Sequence, residues 1–312
     1  MLHIPVLLEE SIEFLIHDID GVYLDCTFGR GGHSQAILNK LSKFGSLTSI
    51  DKDLDAYNYG KNLIDDERHS IHHKSFSEID DIFTKESISG ILFDLGTCST
   101  HFDDATRGFS FNKDAELDMR FDQSKGIKLR DWINNAEEEI ISEILFKYGN
   151  EKKSRKIANQ IIQSRSKAEI KTTLELASII QSVFPDKKFK INPATKSFQA
   201  FRIFINDELK ELQDGLIKAS KILNKGGLIV IISFHSLEDR LVKNFFKDEI
   251  VSYPKDIPVN NNVTKTFNCI AKKIKPSQEE IAKNPRSRSA VMRVFQKPVS
   301  YTHLTLPTIC SV

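Results

Sequence analysis

The sequence predicts an α/β fold, a parallel sheet of β–α units interrupted by an all-helical insertion, and three observations carry that reading. Across the first hundred residues short β-type runs alternate with helical patterns, the signature of parallel strands joined by right-handed crossovers. Over residues 111–192 the β signal disappears and apolar residues recur at helical spacing. Apolar runs then return at 227–233 and 290–295, so the sheet resumes after the interruption.

In chain order, strands are expected over 22–26, 46–50, 69–73 and 90–93, with helices near 34–42, 54–63 and 77–83. Within the insertion, Leu129, Trp132, Ile133, Ala136, Ile140, Ile141, Ile144, Leu145 and Tyr148 fall at helical spacing. Ile157, Ile161 and Ile162 continue the pattern beyond Gly149, and Thr172 with Glu175 has the spacing of a capping box that opens a further helix. Residues 198–223 read as one long helix, because Phe198, Phe201, Ile205, Leu209, Leu212, Leu216 and Leu223 form one apolar stripe. Lys225, Gly226 and Gly227 supply the cation and glycines that suit a helix C-terminus. The expected domains are a discontinuous sheet domain, 1–110 with 193–297, and the helical insertion 111–192 as a substrate-recognition unit. Residues 298–312 contain no Asp, Glu, Lys or Arg and read as a non-native or disordered tail, with a hydrophobic docking peptide as the alternative.

A chain of 312 residues suits one large domain or two ordinary ones. Its net charge of +1 excludes a global field that would drive it onto nucleic acid, so polyanion contact must come from local basic patches. Cys26, Cys98, Cys269 and Cys310 have neither metal-site spacing nor the density of a disulfide framework, as expected in a reducing compartment. Glu9, Glu10 and Glu13 rule out a secretory leader over the first residues, and no apolar run reaches the length of a membrane span. A cytoplasmic protein without a membrane partner is the expectation.

The chemistry begins at Asp25-Cys26-Thr27-Phe28-Gly29-Arg30-Gly31-Gly32-His33-Ser34. A strand that runs into a glycine turn and then a helix presents backbone N–H groups to a ligand at the carboxyl end of a sheet. Asp51 closes the next apolar run about 20 positions on, where an acid can hold a ribose hydroxyl pair. An adenosine-containing cofactor follows. The third glycine of a dinucleotide loop is missing, and Asp25 would repel a pyrophosphate but accept hydrogen bonds from an ammonium group. Those features favour S-adenosylmethionine over NAD.

Several blocks in order resemble the RsmH (MraW) family: residues 3–10, the glycine loop, Asp94-Leu95-Gly96, residues 107–111, Leu117-Asp118-Met119-Arg120, residues 198–203, 206–209, 233–240 and 284–289. The resemblance implies a Rossmann-like methyltransferase domain with an inserted helical domain. It implies S-adenosylmethionine-dependent methylation of N4 of a decoding-centre cytidine, in free small-subunit (16S) ribosomal RNA or in the assembled small subunit. Carried over residue by residue, it marks Gly31, Gly32, His33, Asp51, Phe76, Asp94 and His101 as cofactor-binding, with Asp94 nearest the reacting centre and the candidate catalytic residue. His101 stands where the family has Gln, in a stretch Thr97-Cys98-Ser99-Thr100-His101 that departs from the family's Val-Ser-Ser-Pro-Gln. An imidazole can still hydrogen-bond there, with different geometry and protonation.

Substrate contact is expected from Arg107, Arg202, Asn206, His235, Arg286 and Arg288. Phosphate contact is expected from the basic clusters 152–156 and 272–275 and from Arg293. His235, Glu238 and Asp239 are read as a helix start and substrate contact, with no metal implied, and a homodimer is left open. Two rival functions stay in view, an NAD-linked oxidoreductase and a non-catalytic ribosome-assembly factor.

Overall fold

In the computed structural model of the chain, the described residues are 5–97, 101–102, 104–184, 192–247 and 266–299. Cys98, the end of the tail from residue 300 and Cys310 lie outside them. The sheet contains β1 (Val22–Asp25), β2 (Ser46–Asp51), β3 (His69–His73), β4 (Ile88–Asp94), β5 (Leu223–Ser233), β6 (Asn268–Ile274) and β7 (Val291–Gln296). Their order is β3-β2-β1-β4-β5-β7-β6. β3, β2, β1, β4 and β5 pair in parallel, whereas β7 runs antiparallel to β5 and β6 antiparallel to β7. The sheet is therefore mixed rather than wholly parallel.

β-α units place β2 and β3 on one side of β1 and β4 and β5 on the other, so the topological switch lies between β1 and β4. An open α/β sheet has its ligand crevice at the carboxyl ends of the strands at such a point. Side chains along β5 alternate between two buried layers. Ile229 and Ile231 pack with Leu212, Leu216 and Phe93, while Val230 and Ile232 pack with Leu15, Ile37 and Met292.

The helices on the sheet are α1 (Leu8–Leu15), α2 (Gly32–Lys40) and α3 (Leu54–Leu63), followed by a 3-10 segment, Phe76–Asp81, where an α-helix is expected from the sequence. Among the described residues of the expected insertion, four further helices follow β4: α4 (Leu129–Asn135), α5 (Glu138–Gly149), α6 (Ser154–Arg165) and α7 (Thr173–Ser182). Their apolar faces, with Leu129, Ile141, Ile157 and Leu176, close on a core of their own. The capping box is present at α7, with Glu175 N–H on Thr172 Oγ1 and the Glu175 carboxylate on Thr172 N–H.

The long helix expected over 198–223 is two helices, α8 (Ala194–Ile205) and α9 (Glu208–Ile222). Asp207, with φ of 49°, turns the chain between them, and Leu223 already belongs to β5. Phe198 and Phe201 of α8 join the helical core, and Leu212 and Leu216 of α9 join the sheet core. One apolar stripe therefore serves two cores. α10 (Ser236–Phe245) and α11 (Gln278–Lys283) follow β5 and β6 among the described residues. No helix among the described residues is long and apolar enough to cross a membrane.

Candidate cofactor cleft and its wall

The cleft opens where the switch point places it. Its lining includes Gly29 and His33 after β1, Asp51 and Asp53 after β2, Phe76 after β3, and Asp94 with Leu95 to Thr97 after β4. His101, Phe121, Glu208, Glu211, Phe234, Glu238 and Arg286 complete the walls.

Asp25 is wholly buried beneath the glycine turn. It accepts the Thr27 N–H at 3.0 Å and the Ser34 hydroxyl at 2.7 Å. Burial nevertheless pushes its pKa up to about 6, against the pull of those hydrogen bonds. Gly31 takes a φ of 74° at the entry to α2, and a Cβ there would strike the Phe28 ring at 2.7 Å. A Cβ on Gly32 would run into Pro5. These two glycines are required by left-handed backbone and by packing on protein neighbours, whereas Gly29 is the one that lines the cleft.

Asp51 accepts the N–H groups of Gly29 and Asp53, each at 2.8 Å, so the acid and the glycine turn are fixed to one another. Burial raises its pKa against those two bonds. Phe76 opens the 3-10 segment behind a Ser75–Glu78 capping box, lies edge-on to Phe93 at 5.6 Å, and is held close against α9 by the absence of a side chain at Gly215.

Asp94 is the most perturbed acid of the cleft. Burial raises its pKa to about 7, the Asp25 and Glu238 charges add to the rise, and the Gly96 N–H opposes it. Its Oδ1 is buried without a hydrogen-bond partner, and its Oδ2 lies 3.6 Å from His33 Nδ1. His33 Nε2 faces the Val6 carbonyl at 3.2 Å, which can only accept, so Nε2 carries a proton.

His101 is buried between Phe109 and Phe121, with ring centroids 5.1 and 5.0 Å away. Its Nε2 is 2.5 Å from Asp53 Oδ2, and its Nδ1 has no hydrogen-bond partner. Burial alone would raise the pKa of Asp53, but the hydrogen bond and charge of His101 and the charge of Arg107 hold it at about 2.

Six expected site residues thus share the cleft: His33, Asp51, Phe76, Asp94, His101 and Arg286. Arg286 is exposed, with its guanidinium 5.4 Å from the Phe102 ring centroid. Arg288 is exposed and outside the lining. The remaining three polar residues and the histidine expected at substrate are engaged within the protein. Arg107 is buried and pairs with Asp53 and Asp55, each at 3.1 Å, and also donates to the Phe121 carbonyl. Arg202 grips Glu208 through two hydrogen bonds of 2.7 and 2.8 Å. Asn206 binds backbone at Met119 and Phe121. His235 caps α10, its Nδ1 accepting the Glu238 N–H at 3.3 Å.

Glu208, His235 and Glu238 have potential ligand atoms within 4.8 Å of one another. Arg202 holds Glu208, and one Glu238 oxygen accepts the N–H groups of Phe234 and His235 at 2.8 and 3.1 Å, while His235 Nε2 lies 3.2 Å from the other Glu238 oxygen without a hydrogen bond. This set fits an ion-pair network better than a metal.

Sequence reasoning missed Lys52, which pairs with Glu211, and the walls Phe121 and Phe234, whereas Glu238, read as part of a helix start and substrate contact, lines the cleft and completes the cap of α10. Glu238 carried a signal, its position three residues after a helix-capping residue. Phe121 carried none, because its place depends on a chain fold at Met119.

The MraW methylase family model matches residues 1–298. "Ribosomal RNA small subunit methyltransferase H" of Caldicellulosiruptor bescii is 48% identical over 303 residues, covering 95% of this chain and 99% of that protein. The protein of the same name from Pseudoalteromonas atlantica is 46% identical over 305 residues, covering 95% and 98%. Among solved structures, an rRNA methylase from Streptococcus thermophilus matches with a TM-score of 0.42 and 10% identity, covering 96% of this chain and 99% of that one. With a family model spanning nearly the whole chain and relatives this similar over almost their full length, the chain belongs to the MraW methylase family.

Proposed function

We propose that the protein is an S-adenosylmethionine-dependent methyltransferase that modifies N4 of a decoding-centre cytidine in small-subunit (16S) ribosomal RNA. The observation that carries the reading is the cleft itself, where an acid after β2, an aromatic after β3 and a perturbed acid after β4 surround one glycine turn. The similarity to relatives named for the small-subunit RNA supports the substrate.

The chain's residues fit that cofactor. Asp51 suits a ribose hydroxyl pair, Phe76 an adenine face, and the orphaned Asp94 Oδ1 a hydrogen-bond donor or positive charge. Asp53, Glu208 and Glu211 are paired with Arg107, Arg202 and Lys52, whereas Asp51 and Asp94 line the cleft without a Lys or Arg partner and favour a ligand that carries positive charge. When bound, the sulfonium cofactor supplies the methyl group. Gly31, Gly32 and His33 shape the loop that bears it.

Methyl transfer to nitrogen is an in-line displacement, so alignment in a closed pocket supplies most of the rate. The cytosine amino nitrogen is a weak nucleophile because its lone pair is delocalised into the ring. Asp94 accepts a hydrogen bond from that amino group, which favours the nucleophilic, pyramidal nitrogen. Ionised beside the cofactor, Asp94 is also placed to take the proton that the nitrogen loses. The target base must leave its stack to reach the strand ends. The helical insertion, 111–192, serves as the RNA-recognising unit, with its basic run at 152–156 on phosphate, Arg286 at the cleft and Arg288 on the exposed surface outside it.

The test is to incubate the protein with methyl-labelled cofactor and small subunits lacking the modification, then map labelled nucleosides by mass spectrometry. Label on N4 of one decoding-centre cytidine is expected. Cofactor binding without label would refute the reaction and favour an assembly factor.

A further inference from the structure

The strap from Asp118 to Phe121 belongs by connectivity to the helical insertion, yet it supplies a wall of the sheet domain's cleft. It leads into α4, and it is tied there by Leu129 N–H on the Asp118 carbonyl at 3.0 Å and Arg130 N–H on the Leu117 carbonyl at 2.7 Å. Met119 holds a φ of 63°, a left-handed conformation that a residue with a side chain adopts at a cost. Something must hold it there.

The holder is the side chain of Asn206, at the end of α8. Its Oδ1 accepts the Phe121 N–H at 2.7 Å and its Nδ2 donates to the Met119 carbonyl at 2.8 Å, so one amide bridges both sides of the left-handed residue. The same Nδ2 donates to the Arg202 carbonyl at 2.9 Å, which fixes the amide to its own helix. Arg107 adds a bond of 2.8 Å to the Phe121 carbonyl. So clamped, Phe121 reaches into the cleft beside the residues after β2. Lys52 Nζ stands 4.8 Å from its ring centroid, and Phe109 and His101 pack on it at 5.1 and 5.0 Å.

We propose that Asn206 is a positioning residue for cofactor binding: by clamping the Met119 strap it sets Phe121 as the aromatic wall on the Asp51 side of the cleft. Phe121 makes the contact and Asn206 acts through it. The inference rests on the cofactor reading above. It also gives the insertion a second task, since α8 packs in the helical core and the strap feeds α4, so the helical unit shapes the cofactor site as well as the RNA side.

The test is a double-mutant cycle read by calorimetric titration of the full chain with S-adenosylhomocysteine. N206D keeps an acceptor for the Phe121 N–H but sets an anion against the Met119 carbonyl. F121L removes the ring and keeps an apolar side chain. Each is expected to weaken binding about tenfold, and the double variant to be within about twofold of either single one, because residues acting through one contact are non-additive. F121Y is expected to retain affinity. R165A, which loses the Arg165 bond to the Ile133 carbonyl (2.7 Å) and loosens the helical unit away from the strap, is expected to bind as the parent does.

Additive losses in the double variant would overturn the proposal, as would F121L binding like the parent or R165A losing as much as N206D. If N206D fails to fold, F121L against F121Y still decides whether the ring is the wall. Failure of the parent protein to bind either S-adenosylmethionine or S-adenosylhomocysteine would instead refute the cofactor reading.

Discussion

The protonation of Asp94 is the sharpest consequence of the site. Its pKa of about 7, against an ordinary 3.8, amounts to about 4 kcal/mol against ionisation before the cofactor binds. A cation bound against this carboxylate favours the ionised form, so binding between pH 5.5 and 7 must expel a proton. The expected result is affinity that tightens roughly tenfold per pH unit up to about pH 7 and levels off above it. At pH 6 about 0.9 proton should be released per cofactor bound, countable by calorimetry in buffers of different ionisation heat. D94N should abolish both the slope and the proton release. D25N removes the neighbouring charge that helps raise Asp94, so the break should move to lower pH. A flat affinity profile for the parent protein from pH 5.5 to 8, with no proton released, would refute the reasoning.

Other outcomes follow from the same geometry. Asp25, raised from 3.8 to about 6, keeps in the native state a proton that the unfolded chain releases. Its contribution to stability is therefore full below about pH 4 and lost as pH rises through 6, and D25N should be more stable than the parent at pH 8 by up to about 3 kcal/mol in urea unfolding. R107A removes one of the two basic partners of buried Asp53, leaving His101, and takes a donor from the Phe121 carbonyl, so it should lower stability by about 1–3 kcal/mol by the same method, a cost that R107K only partly restores. D51N removes a charged acceptor from the ribose position and should weaken cofactor binding at least tenfold without changing the circular dichroism of the protein. Neutralising Lys152, Arg155 and Lys156 together should reduce the salt dependence of RNA binding while leaving cofactor affinity unchanged, as measured by fluorescence anisotropy over a salt series.

The parts of this protein legible in its sequence are those governed by local periodicity and local chemistry. Strands β1, β2 and β4 announced themselves through short apolar runs and β3 (His69–His73) through its place in the β–α alternation, the glycine turn and Asp51 through their spacing at strand ends, and Asp94 through the family resemblance. β6 did not, because an edge strand with exposed Cys269, Lys272 and Lys273 carries no buried alternation. The break between α8 and α9 was hidden for a different reason. The apolar stripe runs on at helical spacing across Asn206 and Asp207, although its two halves serve two separate cores.

The polar residues divide along the same line. Residue type marked Arg107, Arg202 and Asn206 as able to bind substrate, since a free guanidinium or amide suits phosphate and base alike. Only the fold decided that Asp53, Glu208 and the Met119 strap lie within their reach, and a buried polar group takes the partner at hand rather than remain unsatisfied. Sequence by itself determined the parallel strands β1 to β5, the glycine turn and the acid at the end of β2, because these follow from neighbours in the chain, whereas the antiparallel edge of β7 and β6 did not follow from them. Tertiary structure alone raised Asp94 to about 7 and brought Phe121 into the cleft, because burial, the field of distant charges and a clamp across 85 residues exist only once the chain has closed on itself.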